Sequence, residues 1–335
     1  RMNDSGGTGN YHHIVITYKI GESRRALFKK LFGAKARLSV LGDMPTGLRQ
    51  QTLIDAEVLL SWSLRKELGP SELGLLKNVR LIQLLSAGAD HVPYAGLRDD
   101  IIIAGNVGAY AEPVAEHALA MMLALAKNIC RGHQKLGGGE FDQSKLGRML
   151  RGSVCGILGF GGIGRATARL MRAFGMRIYA VNTSGRTDEA VDFIGTLEDL
   201  DPVLASADVV VICLPLTKAT RGLIGRQALD RMKPNAILIN VARGDIIDEA
   251  ALYAHLATHP DFRAGIDAWW TEPFTSGEFR TNYPILALPN VLGSPHLAAM
   301  APGVNEAGAR RAAENVMRFL NNEPITGVVR REDYV

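Results

Sequence analysis

The sequence predicts an α/β protein built on two doubly wound, largely parallel sheets, and three observations carry that prediction. Two series of short Val- and Ile-rich runs alternate with helix-length segments, and a polar, glycine-rich stretch separates the two series. At 335 residues the chain also exceeds what one small core accommodates, so two compact domains are expected.

The first series is IVITY from Ile14, EVLLSW from Glu57, VRLIQLL from Val79 and IIIAG from Ile101. Continuous apolar runs of this length suit strands buried on both faces of a parallel sheet. Ala111 to Arg131 reads as one long helix, and GHQKLGGGEFDQSKLGRML (132–150) breaks regular structure. Taken by themselves, these residues place a hinge and a domain change at 111–150. The second series is SVCGILGF, RIYAVN, DVVVICLP, AILINVAR, RAGIDAW and NVLGSP, six strands of a doubly wound nucleotide-binding domain. From Pro302 to Leu320 an amphipathic helix is expected, one that returns to the first domain.

Composition narrows the class. An apolar share of 47%, a charged share of 21% and 36 glycines describe a globular chain with many turns. The 38 basic and 34 acidic residues nearly cancel and form no basic run, which argues against nucleic-acid binding. Cys130, Cys155 and Cys213 are widely spaced among apolar residues, as reduced core thiols are, and this points to a cytoplasmic setting. RMNDSGGTGNYHH has no charged-then-apolar leader pattern, so it reads as an expression remnant or a frayed terminus. The most apolar helical stretch, Val114 to Ala126, is shorter than the roughly 20 residues of a membrane span and carries Glu116 and His117. It is expected to be a buried helix. His12 and His13 lie in that terminal stretch, His117 sits among apolar residues without a partner at ligand spacing, and no metal site is expected.

The second series opens on Gly159-Phe160-Gly161-Gly162-Ile163-Gly164, a G-x-G-x-x-G between a strand and a helix. In that context Gly159 allows the tight turn, Gly161 lets the backbone approach a pyrophosphate, and Gly164 lets helix meet strand. The helix N-terminus then presents amides and a positive dipole to the phosphates. A ribose-binding acid is expected about 20 residues further on. Position 182 holds Asn182 instead, followed by Thr183, Ser184 and Arg186. An acid there repels a 2′-phosphate, whereas hydroxyls and an arginine receive one, so NADP is favoured over NAD. The alternative is that Asn182 bonds a free 2′-hydroxyl and Arg186 is a solvated turn residue.

Arg243, Glu272 and His296 lie just past apolar strands, where open parallel sheets bind ligands. An arginine fork grips a carboxylate and a neighbouring carbonyl oxygen. A histidine passes a proton, and a carboxylate beside it sets its tautomer. The trio suits reduction of a 2-oxo acid.

These residues belong to longer motifs: LLSAGADHVP (84–93), PVAEHALAMMLALAKNI (113–129), GILGFGGIGRATA (156–168), LPLTKATRGLIG (214–225), INVARGDIIDEAAL (239–252), DAWWTEP (267–273) and SPHLA (294–298). Through them the chain resembles the D-isomer-specific 2-hydroxyacid dehydrogenase family, including its glyoxylate/hydroxypyruvate reductases, from about residue 50 onward. The resemblance implies a Rossmann NAD(P)-binding domain over 106–296, inserted in a flavodoxin-like substrate-binding domain made of 1–105 and 297–335. It implies that Arg243 binds the substrate carboxylate and carbonyl, that His296 is the general acid/base and that Glu272 is its partner. It places Leu214, Pro215 and Asp267 at the cofactor, Asp267 on the nicotinamide amide, and the backbone amides of Ser86, Ala87 and Gly88 at the substrate carboxylate. It also implies a homodimer joined through the cofactor domains, which the apolar helix 114–126 and its following loop fit; intradomain packing is the other reading of that helix.

Trp269 and Trp270 depart from the family pattern, as does Met300 after SPHLAA, so the substrate stays open. Two other functions compete: a cofactor-sensing, corepressor-like scaffold, and a formate dehydrogenase relative. Formate oxidation needs no proton acceptor, and that branch carries Gln where this chain has Glu272.

Overall fold

The computed structural model describes residues 11–335, so residues 1–10 of the amino-terminal segment lie outside it. The chain divides into two compact units, one made of the residues up to Ala109 together with Asn305–Val335, the other of Tyr110–Val304. The first unit is thus discontinuous in sequence. Its division points fall a few residues later than 105/106 and 296/297, and not within 111–150.

The first unit holds five parallel strands: β1 (His12–Ile16), β2 (Ala36–Val40), β3 (Val58–Ser61), β4 (Leu81–Leu84) and β5 (Ile102–Ala104). Their order is β2-β1-β3-β4-β5, the flavodoxin-like arrangement. β3 and β4 are buried at every residue, as their unbroken apolar runs require. β2 is absent from the sequence-based strands. Arg37 and Ser39 interrupt its apolar run, because as an edge strand it pairs only with β1.

His12 and His13, grouped above with the frayed terminus, instead begin β1. His12 Nδ1 lies 2.6 Å from the Glu57 carboxylate, and buried His13 meets the Ser39 hydroxyl at 2.8 Å. The helix Val304–Leu320 belongs, from Asn305 onward, to this unit. Small residues on one face, Ala309, Ala312 and Ala313, let it pack closely against a cluster containing Ile14, Ile16, Phe28 and Leu60. Asn315 ties it to the sheet through Gln83 at 2.7 Å.

The second unit holds seven parallel strands: β6 (Val154–Leu158), β7 (Arg177–Val181), β8 (Phe193–Gly195), β9 (Val209–Ile212), β10 (Ile237–Asn240), β11 (Arg263–Ile266) and β12 (Val291–Gly293). Their order, β12-β11-β10-β9-β6-β7-β8, reverses direction between β6 and β9 and is the Rossmann order with one added strand. β8 is the strand the sequence reading lacks. It is a three-residue, half-buried edge, too short to show a period.

The predicted helix 111–131 is two helices. Asn128 adopts φ 56° and ψ 30°, a left-handed conformation that ends Ala111–Ala126 and starts Ile129–Gly137. Val114, Ala115, Ala118, Met121, Met122 and Leu125 are all buried, so the apolar stripe of the first helix is core of its own unit. The large exposed apolar side chains follow it: Ile129, Leu136, Phe141, Leu146 and Met149. Cys155 is a buried thiol as expected, whereas Cys130 is exposed and Cys213 lies between the two. Among the described residues no helix is long and apolar enough to cross a membrane.

Burial makes two core histidines acid-sensitive, His255 and His13. His255 is buried, stacked on His259 at 4.1 Å between ring centroids and edge-on to Phe262 at 4.7 Å. Burial, reinforced by the neighbouring His259 and opposed by Asp230, holds its imidazole below the ordinary histidine value. The unfolded chain therefore takes up this proton first as pH falls. The stability His255 contributes is complete above its unfolded pKa of roughly 6.5 and drains away below it. His13, lowered by burial and by Arg37, acts in the same sense. Calorimetry is expected to show a fall in Tm between pH 7.5 and 5.5 that is shallower in His255→Leu; equal slopes in the two proteins contradict this account.

Candidate functional site

β6 ends at the point where the strand order reverses, and the glycine turn follows it directly. Gly159 has φ 95°, and a Cβ there would lie 2.7 Å from the Cys213 backbone after β9. A Cβ on Gly164 would sit 2.1 Å from the Gly159 carbonyl oxygen, so only glycine lets the helix Gly162–Ala173 start this close to the strand. Gly161, the helix N-cap, is different: a Cβ on it meets nothing within 4 Å. The turn thus leaves room in front of a helix N-terminus, the arrangement that receives a pyrophosphate. Phe160 is buried beneath it, Gly162 and Ile163 open the helix, and Leu214 and Pro215 follow β9 on the neighbouring strand end.

At the end of β7 the side chain of Asn182 is committed to its own loop. Oδ1 accepts from the amides of Ser184 (3.1 Å) and Gly185 (2.7 Å), and Nδ2 donates to the Arg186 carbonyl at 2.8 Å. Thr183, Ser184 and Arg186 are exposed on the loop it organises. One residue escaped the sequence reading here: Arg165, the first residue after Gly164, pairs with Asp188 at 2.5 Å. Its position one residue past the glycine motif is the signal that could have found it.

β10 leads into Arg243, whose Nη1 donates to the Ala242 carbonyl at 2.9 Å. Its carbonyl is held by Asn240 Nδ2, also at 2.9 Å. The next residue must be glycine, because a Cβ on Gly244 would lie 2.4–2.5 Å from the backbone of Trp269 and Trp270. That contact sets the Arg243 loop against the turn carrying Glu272.

Glu272 caps the short helix Pro273–Ser276, whose first residue is the favoured N1 proline. Its carbonyl accepts from the Thr275 and Ser276 amides, which leaves the side chain to turn inward. There, only 5% exposed, Oε1 accepts from the Trp269 amide at 2.8 Å and from His296 Nδ1 at 2.8 Å. A carboxylate only accepts, so Nδ1 carries the hydrogen and Nε2 is left for a reactant.

His296 has φ 51°, a left-handed backbone that costs a non-glycine residue about 1–3 kcal/mol. Asp267, 1% exposed, accounts for it. Its Oδ1 accepts from the Ser294 hydroxyl at 2.5 Å and the Leu297 amide at 3.0 Å, and its Oδ2 accepts from the Ala298 amide at 3.0 Å. Its carbonyl takes the His296 amide at 2.9 Å. Segment 294–298 is wrapped around one carboxylate, and 297–304 belong to the second unit. His117 is not the isolated residue the sequence suggests: Nε2 lies 2.9 Å from Ser294 Oγ and 3.5 Å from Asp267 Oδ1.

The tryptophans pack. Trp269 is buried, its Nε1 donates to the Ser294 carbonyl at 2.8 Å, and Phe279 meets it edge-on at 5.4 Å. Trp270 Nε1 donates to the Ile247 carbonyl at 2.7 Å. Trp269 and Phe279, with Leu286, Gly293, Ser294 and Pro295, nevertheless line a small apolar cavity of about 220 Å³.

In the first unit, Ser86, Ala87 and Gly88 follow β4 and are half-exposed, and the Ser86 hydroxyl donates to the Gly88 carbonyl at 2.9 Å. Their three backbone amides donate to no acceptor among the described residues.

Gly161 and Gly164 are expected to respond differently to an added Cβ. Gly164→Ala drives a Cβ into backbone and is expected to lower Tm by several degrees, while Gly161→Ala leaves Tm within about one degree. Thermal melts of both variants check this, and an unchanged Tm for Gly164→Ala contradicts it.

Residues 119–298 match the family description "D-isomer specific 2-hydroxyacid dehydrogenase, NAD binding domain". A hydroxypyruvate reductase of Thermotoga maritima is 35% identical over 247 residues, 73% of this chain and 78% of that one. A D-3-phosphoglycerate dehydrogenase of Archaeoglobus fulgidus is 31% identical over 318 residues, 94% of this chain; the match spans only 55% of that relative's length. A solved D-isomer specific 2-hydroxyacid dehydrogenase from Xanthobacter autotrophicus Py2, in complex with NADPH and MES, superposes with a TM-score of 0.77 at 26% identity, covering 97% of this chain and all of that one. With a glycine turn at the sheet's switch point and a Glu272–His296 pair beside the Arg243 loop, the chain belongs to the D-isomer specific 2-hydroxyacid dehydrogenase family.

Proposed function

We propose that the protein is a 2-oxo acid reductase of the glyoxylate/hydroxypyruvate type, interconverting a small 2-oxo acid and its D-2-hydroxy acid with NADP or NAD. The carrying observation is the 2.8 Å contact between buried Glu272 and His296 Nδ1, which leaves Nε2 to exchange a proton. The nicotinamide, when bound, supplies the hydride.

His296 donates the proton to the C2 oxygen as the carbonyl is reduced, and Glu272 stabilises the imidazolium before that transfer. Arg243 offers a cation to the substrate carboxylate and to charge developing on the carbonyl oxygen. The amides of Ser86, Ala87 and Gly88 are further carboxylate donors. Asp267 accepts three hydrogen bonds, and the acceptor position left on Oδ2 is the one a carboxamide N–H would use. We assign cofactor binding to the unit of Tyr110–Val304 and substrate binding to the other.

NADP is the favoured cofactor. Asn182 Oδ1 is spent on two loop amides, so it has no lone pair left to accept a ribose 2′-hydroxyl. Thr183, Ser184 and Arg186 are exposed beside it, and Arg186 forms no ion pair among the described residues. A second copy of the chain is the proposed partner, supported by the exposed Ile129, Leu136, Phe141, Leu146 and Met149 rather than by the buried helix before them. Formate oxidation fits poorly, because it makes no use of a proton-holding Glu–His pair. A scaffold without turnover has no use for a buried carboxylate that orients the His296 ring with Nε2 left over.

Steady-state assays with glyoxylate and hydroxypyruvate test this. His296→Gln is expected to lower kcat by ~10²–10⁴-fold with unchanged cofactor affinity, and near-normal turnover removes His296 from the role assigned. Comparison of kcat/KM for NADPH and NADH is expected to favour NADPH by at least about tenfold, a preference that Arg186→Ala erodes. A strong NADH preference in the unaltered protein overturns the cofactor assignment.

A further inference from the structure

We infer that His117, on a helix outside the Arg243, Glu272 and His296 set, is a positioning residue that holds His296 in its strained working conformation through Ser294 and Asp267. The inference rests on the reductase reading for its kinetic part and on geometry alone for its structural part.

Hydrogen bookkeeping gives the relay a direction. The Ser294 hydroxyl has one hydrogen, and at 2.5 Å it goes to Asp267 Oδ1, an oxygen that only accepts. Ser294 Oγ therefore receives the contact from His117, so His117 Nε2 carries a hydrogen and donates across 2.9 Å. The same Nε2 lies 3.5 Å from Asp267 Oδ1. The chain runs from His117 through Ser294 to Asp267, and from Asp267 to the amides of Leu297 and Ala298 on the far side of His296.

Both flanks of His296 are thereby tied to one carboxylate, and the residue between them is the one held at φ 51°. The Ser294 backbone stays tied to Ile266 and to the Trp269 indole, so weakening its hydroxyl contact loosens the near flank without detaching it. The backbone then relaxes toward negative φ, and the imidazole leaves the geometry in which Nδ1 meets Glu272. His117 itself starts from a rigid platform: its helix is buried along Val114, Ala118, Met121 and Met122. Its own ring is about one-fifth exposed, so nothing in packing alone requires histidine there. A polar side chain beside the buried stripe of a helix, aimed at a hydroxyl on another element, is the pattern of outer-shell support for a reacting group.

His117→Leu removes the donor, His117→Gln retains one of similar reach, and Ser294→Ala cuts the relay at its second link. Kinetics with hydroxypyruvate and NADPH are expected to show kcat reduced about 10–100-fold in His117→Leu and Ser294→Ala. KM and the NADPH Kd, read by fluorescence titration, stay within about threefold, and His117→Gln recovers most of the turnover. An unchanged kcat in both His117→Leu and Ser294→Ala, or a loss that His117→Gln does not recover, overturns the proposal. An activity-independent readout separates it from the reductase reading. The ring signals of His296, assigned by their absence in His296→Gln, are expected to shift in His117→Leu and not in His117→Gln. Should the unaltered protein reduce no 2-oxo acid while these signals shift as stated, the reductase reading falls and the positioning role stands. If the signals do not move in His117→Leu, the positioning role falls, whatever the activity.

Discussion

One buried carboxylate organises the loops at the carboxyl edge of the second unit's sheet. Asp267 sits at the end of β11, and a desolvated carboxylate must be satisfied by donors or be lost to protonation. The donors come from segment 294–298, so a five-residue loop folds around it instead of leaving the sheet in an extended path. His296 is at the crest of that loop, and its left-handed backbone is the consequence. The electrostatic demand of one side chain thus fixes the direction of another, 29 residues away in sequence. The strain is modest against the several charge-assisted hydrogen bonds that impose it, each worth about 1.5–3 kcal/mol.

Around this centre, close backbone approach does the remaining work. Gly159 lies against the chain leaving β9, Gly164 against the Gly159 carbonyl, and Gly244 against the Trp269–Trp270 backbone. In each case a single methyl group would separate segments that must touch. The glycines therefore serve different ends within one architecture. Gly164 and Gly244 bring segments together, whereas Gly161 keeps a space open in front of a helix N-terminus. The glycine turn and the Arg243, Glu272 and His296 loops arise on one parallel sheet because its strands all point the same way and deliver their loops to the same edge.

The two tryptophans show how a family architecture accommodates local change. Trp269 adds a large buried ring, and its indole N–H finds the Ser294 carbonyl, so the bulk comes with a hydrogen bond that ties it to the same loop. Gly293 is the complement: any Cβ there would meet the Trp269 ring at 2.8 Å. The small apolar cavity beside Trp269 and Phe279 lies one residue from His296, through Pro295. The packing that sets this cavity and the Glu272–His296 contact therefore lie on the same short stretch of chain.

Much of this was legible in the sequence. Unbroken apolar runs revealed the central strands, because strands buried on both faces carry no polar alternation. The glycine turn, Arg243, Glu272 and His296 were readable as motifs because each depends on local chain chemistry. The edge strands β2 and β8 were not, since they are short or half-polar and owe their existence to a neighbour. Nor was the break at Asn128, where a left-handed residue interrupts an otherwise helical pattern. The sequence by itself determined which residue types were available, and with them the fold class and the family. Only the tertiary structure decided that Asn182 is consumed by its own loop, that His117 reaches Ser294, and that Asp267 bends the chain beneath His296. Hydrogen-bond donors and acceptors have finite capacity, and which partners use that capacity depends on distances that no linear spacing encodes.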